Sequence, residues 1–151
     1  MKREWIDLMD TDLLIRAFEE QDREELISLW KSCGLTVPQN DPNKDIDRKL
    51  NANAEWLLVG VHDGAIIASA MYGYDGHRGW INYLSVAPDQ RHSGIGRKLV
   101  EAIEIRLLDL GCPKINIQVR SSNAGVIEFY EKAGFSTDDV ISMGKRLIDD
   151  E

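Results

Sequence analysis

Apolar positions along this chain recur at two periods, and the switches between them divide it into elements. Leu13–Phe18 is a compact apolar run that predicts a first strand. Asp22, with Glu25 three residues on, is a capping-box start. Leu26, Leu29, Trp30 and Cys33 then recur at helical spacing until Gly34. Asp41-Pro42 opens a second helix, with Ile46 and Leu50 on one face, running to about Ala54. Trp56–His62 and Ala65–Tyr72 are strand-like runs joined by Asp63-Gly64, a dipeptide favoured in two-residue hairpins. A second turn leads into Trp80–Val86, a fourth strand. Beyond it Ile95, Leu99, Ala102, Ile103, Leu107 and Leu110 share a helical face that ends at Gly111. Lys114–Val119 predicts a fifth strand, parallel to the fourth because a helix makes the crossover. Asn123–Ala133 reads as another helix stopped by Gly134, and Phe135 and Val140–Leu147 as the last strands. The order β-α-α-β-β-β-α-β-α-β-β describes an α/β (α+β) mixed sheet flanked by helices rather than a doubly wound fold. Residues 1–12 have no clean period and read as a loose arm, with Trp5, Ile6 and Met9 able to dock as a turn; residues 13–151 read as one domain.

Composition narrows the class. With 43% hydrophobic and 29% charged residues, the chain has the balance of a soluble globular protein. No apolar run approaches the ~20 residues of a membrane span. The N-terminus carries acids too early for a secretory signal, so the cytoplasm is the expected location. Cys33 and Cys112 form neither a disulfide framework nor a metal cluster, and His62, His77 and His92 are scattered, so no metal is expected. A net charge of −8 argues against nucleic acid as the main partner and suits a cationic acceptor better than an anionic one.

The chemistry concentrates after the fourth strand, in Arg91-His92-Ser93-Gly94-Ile95-Gly96. A glycine loop opening a helix presents backbone N–H groups and the positive end of the helix dipole to an anion such as a phosphate. Gly94 and Gly96 lack Cβ atoms and allow close approach, while Arg91, Arg97 and Lys98 make a basic patch in an acidic chain. The third glycine of a dinucleotide fingerprint is missing, and so is the Gly-Lys-Ser/Thr of a P-loop. Arg/Gln-x-x-Gly-x-Gly/Ala between strand and helix, followed by Asn123-Ala-Gly-Val-Ile-Glu-Phe129-Tyr130-Glu-Lys-Ala-Gly134-Phe135, resembles the GNAT superfamily, the Gcn5-related N-acetyltransferases. The likeness spans about Leu13 to Leu147; Asn40-Asp-Pro42, 72–80 and 143–147 are similar to the bacterial YpeA group.

That resemblance implies an acetyl-CoA-dependent N-acetyltransferase acting by direct attack in a ternary complex. It implies a fourth and fifth strand that splay apart, with the main chain of Leu84 and Val86 pairing with pantetheine. The pyrophosphate would lie on Arg91, His92, Ser93, Gly94, Ile95, Gly96 and Arg97. Asn123 would anchor pantetheine, although as a helix start it also suits an N-cap. Tyr130 would protonate the departing thiolate, although a packed helix face explains it too. Where many relatives carry a glutamate base, this chain has Asn82, which cannot take a proton at neutral pH. His77, Asp75, Tyr83 or a water held near Asn82 are the substitutes; His77 has the most suitable ordinary pKa but also suits an exposed turn. A lysine amine is ~0.04% neutral at pH 7 and an α-amine ~15%. A site without a carboxylate base therefore favours a protein N-terminus or a small amine as acceptor. An acetyl-CoA-binding regulatory or catalytically weak member is the alternative that Asn82 leaves open. Exposed final strands would allow a homodimer as well as a monomer.

Overall fold

The computed structural model describes residues 13–150. The arm assigned to residues 1–12 lies outside them. Five strands form one sheet in the order of the chain: β1 (Leu14–Ala17), β2 (Leu57–His62), β3 (Ala65–Tyr74), β4 (Gly79–Val86) and β5 (Ile115–Asn116). The first four pair antiparallel, and β4 pairs parallel with β5. Four helices accompany them: α1 (Arg23–Ser32), α2 (Pro42–Asn53), α3 (Ile95–Asp109) and α4 (Ala124–Lys132).

Side-chain alternation on the strands sorts the core into two layers. Leu57, Val59 and Met71 pack with Leu26, Trp30 and Ile46 beneath α1 and α2. Leu58, Ala68, Ala70, Tyr72 and Ile81 pack with Leu99, Ile103 and Leu107 of α3 on the other face. Gly79 lets α3 close down at the start of β4: an added Cβ would lie 2.9 Å from both Cys112 Sγ and Leu107 Cδ1.

Local signals hold at most turns. Asp63 and Gly64 take φ of 50° and 78° in the β2–β3 hairpin, the left-handed pair that a two-residue turn requires. Asp41 Oδ1 accepts from Asn43 N at 2.9 Å and Pro42 starts α2. The start of α1 differs from expectation. Asp22 is not its side-chain cap, because a 3-10 turn over Glu20–Asp22 precedes the helix and turns that carboxylate inward. Arg16 grips it through two bonds of 2.8 and 3.0 Å. On α3, Val100 is buried while Leu110 is 45% exposed, the helix having ended one residue earlier.

The C-terminal prediction fails. Phe135 and Val140–Leu147 form no strands, and β5 is two residues long rather than six. Residues 136–149 are exposed and without regular structure. They are tied by side chains instead of a ladder: Lys114 to Asp138 at 3.1 Å, Gln118 to Ser142, and Arg146 to Asn40 at 2.7 Å. Asp150 ends the run buried at the start of α2. Its carboxylate accepts from Asp41 N at 2.9 Å and from Arg48 Nη2 at 2.5 Å. The final-strand surface invoked for a homodimer is therefore absent among the described residues.

Candidate active site

β4 and β5 pair only at Gly79–Ile115 and Trp80–Asn116 and then diverge, as the splayed-strand expectation requires. From Ile81 to Val86 no described strand lies beside the outer edge of β4. A cleft of about 900 Å³ begins at that last pair and is walled by β5, α4 and the C-terminal run; Tyr130 lines it. The Oδ1 atom of Asn116, on the same wall, is buried without a hydrogen-bond partner among the described residues.

The register of β3 against β4 slips on the way to this edge. Ser69 faces Ser85 but Met71 faces Asn82, so β4 carries one residue more than β3 between them. Tyr83 supplies the bulge and takes φ 53°, a left-handed backbone seldom seen in a bulky residue. Its ring stacks on Trp30 with centroids 3.9 Å apart, and its hydroxyl donates to Asp45 Oδ2 at 2.7 Å. Burial first, and then the Asp45 hydrogen bond, hold that phenol well above its ordinary pKa, so Tyr83 stays protonated and is no base at neutral pH.

Beyond the bulge, Ala87 N–H donates to the Ile67 carbonyl at 2.7 Å. Alternation along the strand turns the N–H and C=O of its neighbour Val86 to the open edge. The Val86 carbonyl is engaged there by Arg91 Nε at 3.0 Å and by the Cys33 thiol at 3.3 Å. Arg91 thus ties the glycine loop to the strand end.

That loop opens α3 without a side-chain cap and with no acid in the first turn. His92 and Gly94 both take left-handed φ, 66° and 85°, and the Ser93 hydroxyl donates back to Gln90 O at 2.5 Å. Arg91, His92, Ser93 and Gly94 are exposed, and nothing lies within 4 Å of the position a Gly94 Cβ would take. Uncapped N–H groups, open space and adjacent cations suit a pyrophosphate. Arg97 is shared with Glu101 at 3.5 Å, both half exposed, a pairing that water and salt weaken. Gly96 is small for a second reason: an added Cβ would lie 3.2 Å from Phe129 Cζ and 3.7 Å from Val86 Cγ2. Helix α4 therefore docks on the start of α3, which brings Tyr130 beside the loop.

Tyr130 is 7% exposed and sits edge-on between Phe129 and Phe135, with centroids 5.1 and 5.3 Å away. Burial pushes its hydroxyl up to about 12. Asn123 caps α4, accepting from Val126 N at 3.2 Å through Oδ1, which leaves its amide N–H₂ able to serve a ligand. Asn82 is exposed on the face that α1 and α2 cover, paired with Met71.

His77 lies elsewhere. Asp75 Oδ1 accepts from His77 N at 2.8 Å and Arg78 N at 2.7 Å, closing the β3–β4 turn. The turn is at the opposite end of β4 from Val86, about 25 Å along an eight-residue strand. His77 and Asp75, offered as substitutes for a base near Asn82, are turn residues at the far end of β4 from Val86. The bulge at Tyr83, its support by Ser69 and Trp30, and the contact of Phe129 with Gly96 are not legible in the sequence. The one visible signal was Ser69 alone inside an apolar strand run.

A family model described as the acetyltransferase (GNAT) family matches residues 15–135. An acetyltransferase of Yersinia enterocolitica is 50% identical over 137 residues, covering 91% of this chain and 97% of that one. Among solved structures, the PaiA N-acetyltransferase of Thermoplasma acidophilum, in complex with coenzyme A, superposes with TM-score 0.74 at 19% identity, covering 85% and 92% of the two chains. AAC(6')-Iy, in complex with the bisubstrate analogue CoA-S-monomethyl-acetylneamine, superposes with TM-score 0.73 at 20% identity, covering 89% and 99%. These two likenesses concern the fold. The profile match and the identity to the Yersinia protein go further: the chain belongs to the acetyltransferase (GNAT) family.

Proposed function

We propose that the chain transfers an acetyl group from acetyl-CoA to a primary amine by direct attack within a ternary complex. The observation that carries this reading is the uncapped N-terminus of α3, tied by Arg91 to the open edge of β4 at Val86. An anion bound at the loop and an extended chain laid along β4 would be continuous, which is the shape of a pyrophosphate followed by pantetheine. Membership of the acetyltransferase family and the coenzyme A complex of the Thermoplasma protein support the same donor.

In this mechanism the donor supplies the thioester. Backbone N–H groups of residues 91–96 hold its pyrophosphate, with Arg91 and Arg97 adding positive charge. Leu84 and Val86 pair with the pantetheine arm, and the amide of Asn123 holds it from the other side. The edge-facing Val86 N–H stabilises the oxygen that gains charge as the amine attacks; a donor of this kind is worth ~100-fold or more in rate. Tyr130, kept protonated by burial, gives its proton to the departing thiolate.

No carboxylate occupies the base position; Asn82 serves by orienting a water that takes the proton lost by the attacking amine and passes it to solvent, from which Tyr130 is reprotonated after the thiol leaves. That arrangement suits an acceptor with an appreciable neutral fraction, a protein N-terminal amine or a small amine of low pKa. The test is calorimetric titration with CoA and acetyl-CoA, followed by thiol release across peptides with free N-termini, polyamines and aminoglycosides. Binding with acceptor-dependent thiol release supports transfer. Binding with no release on any amine supports a regulatory role, and no binding refutes the donor site.

A further inference from the structure

Ser69 is completely buried in the middle of β3, and its hydroxyl has three partners. Trp30 Nε1 donates to Ser69 Oγ at 2.9 Å, Ser69 Oγ lies 3.0 Å from the carbonyl of Tyr83, and Ser85 Oγ lies 2.7 Å away. A hydroxyl has one proton. The Tyr83 carbonyl can only accept, so the Ser69 proton goes there and Ser85 donates to Ser69. The site is then fully satisfied, with two bonds accepted and one given.

What this hydroxyl holds is the bulge. A bulged residue drops out of the ladder, and its carbonyl, turned from water, needs another donor. Ser69 is that donor for Tyr83. Regular pairing in its place would slip β4 by one residue on one side of Tyr83 and exchange its faces. Either Ile81 would leave the core under α3, or the N–H of Val86 would turn away from the open edge. Trp30 serves the same conformation twice, by its N–H to Ser69 and by its ring stacked on Tyr83.

We propose that Ser69 is a positioning residue for acyl transfer. With Trp30 as its support, it locks the left-handed bulge at Tyr83 and so aims the Val86 N–H at the thioester carbonyl. This inference rests on the acetyl-CoA reading above. It assigns to a β3 hydroxyl, outside the glycine loop, control over the geometry of the reacting carbonyl.

The experiment uses full-length protein, [1-13C]acetyl-CoA and free CoA. Carbonyl 13C resonance in the binary complex reports polarisation of the thioester and needs no acceptor. Thiol release from acetyl-CoA, with water or an active amine, reports turnover. For Ser69→Ala, CoA affinity stays within threefold of wild type, because the pyrophosphate loop is untouched. The carbonyl resonance moves toward that of free acetyl-CoA and turnover falls at least tenfold. Ser69→Cys, which keeps a weak donor of similar size, falls between. Ser85→Ala changes turnover less than threefold, since the Ser69 proton still reaches Tyr83. Should Ser69→Ala fail to fold, Ser69→Cys against Ser85→Ala carries the comparison. A folded Ser69 variant with the wild-type resonance and turnover overturns the positioning role, as does a Ser85→Ala effect equal to that of Ser69→Ala. Wild-type protein that fails to bind CoA would instead overturn the donor reading itself.

Discussion

The ring of Phe129 closes over Gly96 so tightly that an added Cβ would meet Cζ at 3.2 Å and Cε1 at 3.3 Å. This contact joins the start of α3 to α4, and Val86 Cγ2 at the end of β4 lies 3.7 Å from the same point. Gly96 therefore answers to an aromatic ring as well as to any phosphate. Gly94 answers to its left-handed backbone, φ 85°, in open space.

Gly96→Asp places a carboxylate at the helix N-terminus proposed above to hold the pyrophosphate and drives its Cβ toward Phe129. CoA affinity should fall at least tenfold by calorimetric titration. Gly96→Ala asks the ring to give only a few tenths of an ångström and gains helix propensity worth up to about 1 kcal/mol. Its thermal midpoint should stay near wild type. A Gly96→Asp protein that binds CoA normally would remove the loop from the donor site.

Tyr130→Phe keeps the edge-on packing with Phe129 and Phe135 and deletes only the hydroxyl. Turnover should drop ten- to a hundredfold, with CoA affinity changed less than threefold. The raised pKa gives a second readout. A phenol whose folded pKa stands above the ordinary ~10 adds stability below that value and loses it as pH rises through about 12. Ultraviolet titration should therefore find Tyr130 un-ionised at pH 11, and the high-pH limb of the rate profile should not respond to it below that pH. Ionisation of Tyr130 near pH 10 would contradict its burial.

Gly79→Ala tests the closest approach of α3 to the sheet. Its Cβ would lie 2.9 Å from Cys112 Sγ and from Leu107 Cδ1, both buried, so side chains or helix must shift. Destabilisation of ~1–3 kcal/mol is expected from overpacking, measured by urea denaturation. Gly76→Ala in the β3–β4 turn is the contrast: no crowding, but a φ of 92° that disfavours any side chain.

Asp150→Asn tests the tether of the C-terminal run. The Arg48 guanidinium, and after it the Asp41 N–H, hold this carboxylate down at about 2. A depressed carboxylate contributes stability above its unfolded pKa of ~3.9 and loses it as pH falls from there through about 2. Above pH 4 the charged tether is complete. Trypsin should cut Asp150→Asn faster than wild type at the exposed Lys145 and Arg146 at pH 7.5. Equal rates would show that Arg146–Asn40 and Lys114–Asp138 hold the run without Asp150.

Most local decisions were legible in the chain because they depend on neighbours in sequence. Asp63-Gly64 sets its hairpin through backbone preference, Asp41-Pro42 starts α2 by capping, and the spacing of Leu99, Ile103 and Leu107 marks the buried face of α3. The glycine loop and the Asn123…Tyr130 block carried the family, and the parallel β4–β5 pair followed from the crossover helix. What stayed hidden depends on contacts across the fold. Residues 140–147, with Val140, Ile141, Met143 and Leu147, read as strand, but they join no sheet edge, and side-chain ties take the place of a ladder. His77 reads as a base by chemistry alone; the fold puts it in the β3–β4 turn, at the far end of β4 from Val86. The bulge at Tyr83 has no sequence signature of its own. It arises where the Ser69 hydroxyl, itself held by Trp30 from α1, gives the Tyr83 carbonyl the hydrogen bond that a regular ladder would have made. Sequence determined most of the elements and the family, because both rest on local patterns; tertiary structure decided where the last strands fail and which backbone groups of β4 face its open edge, because those depend on contacts across the fold.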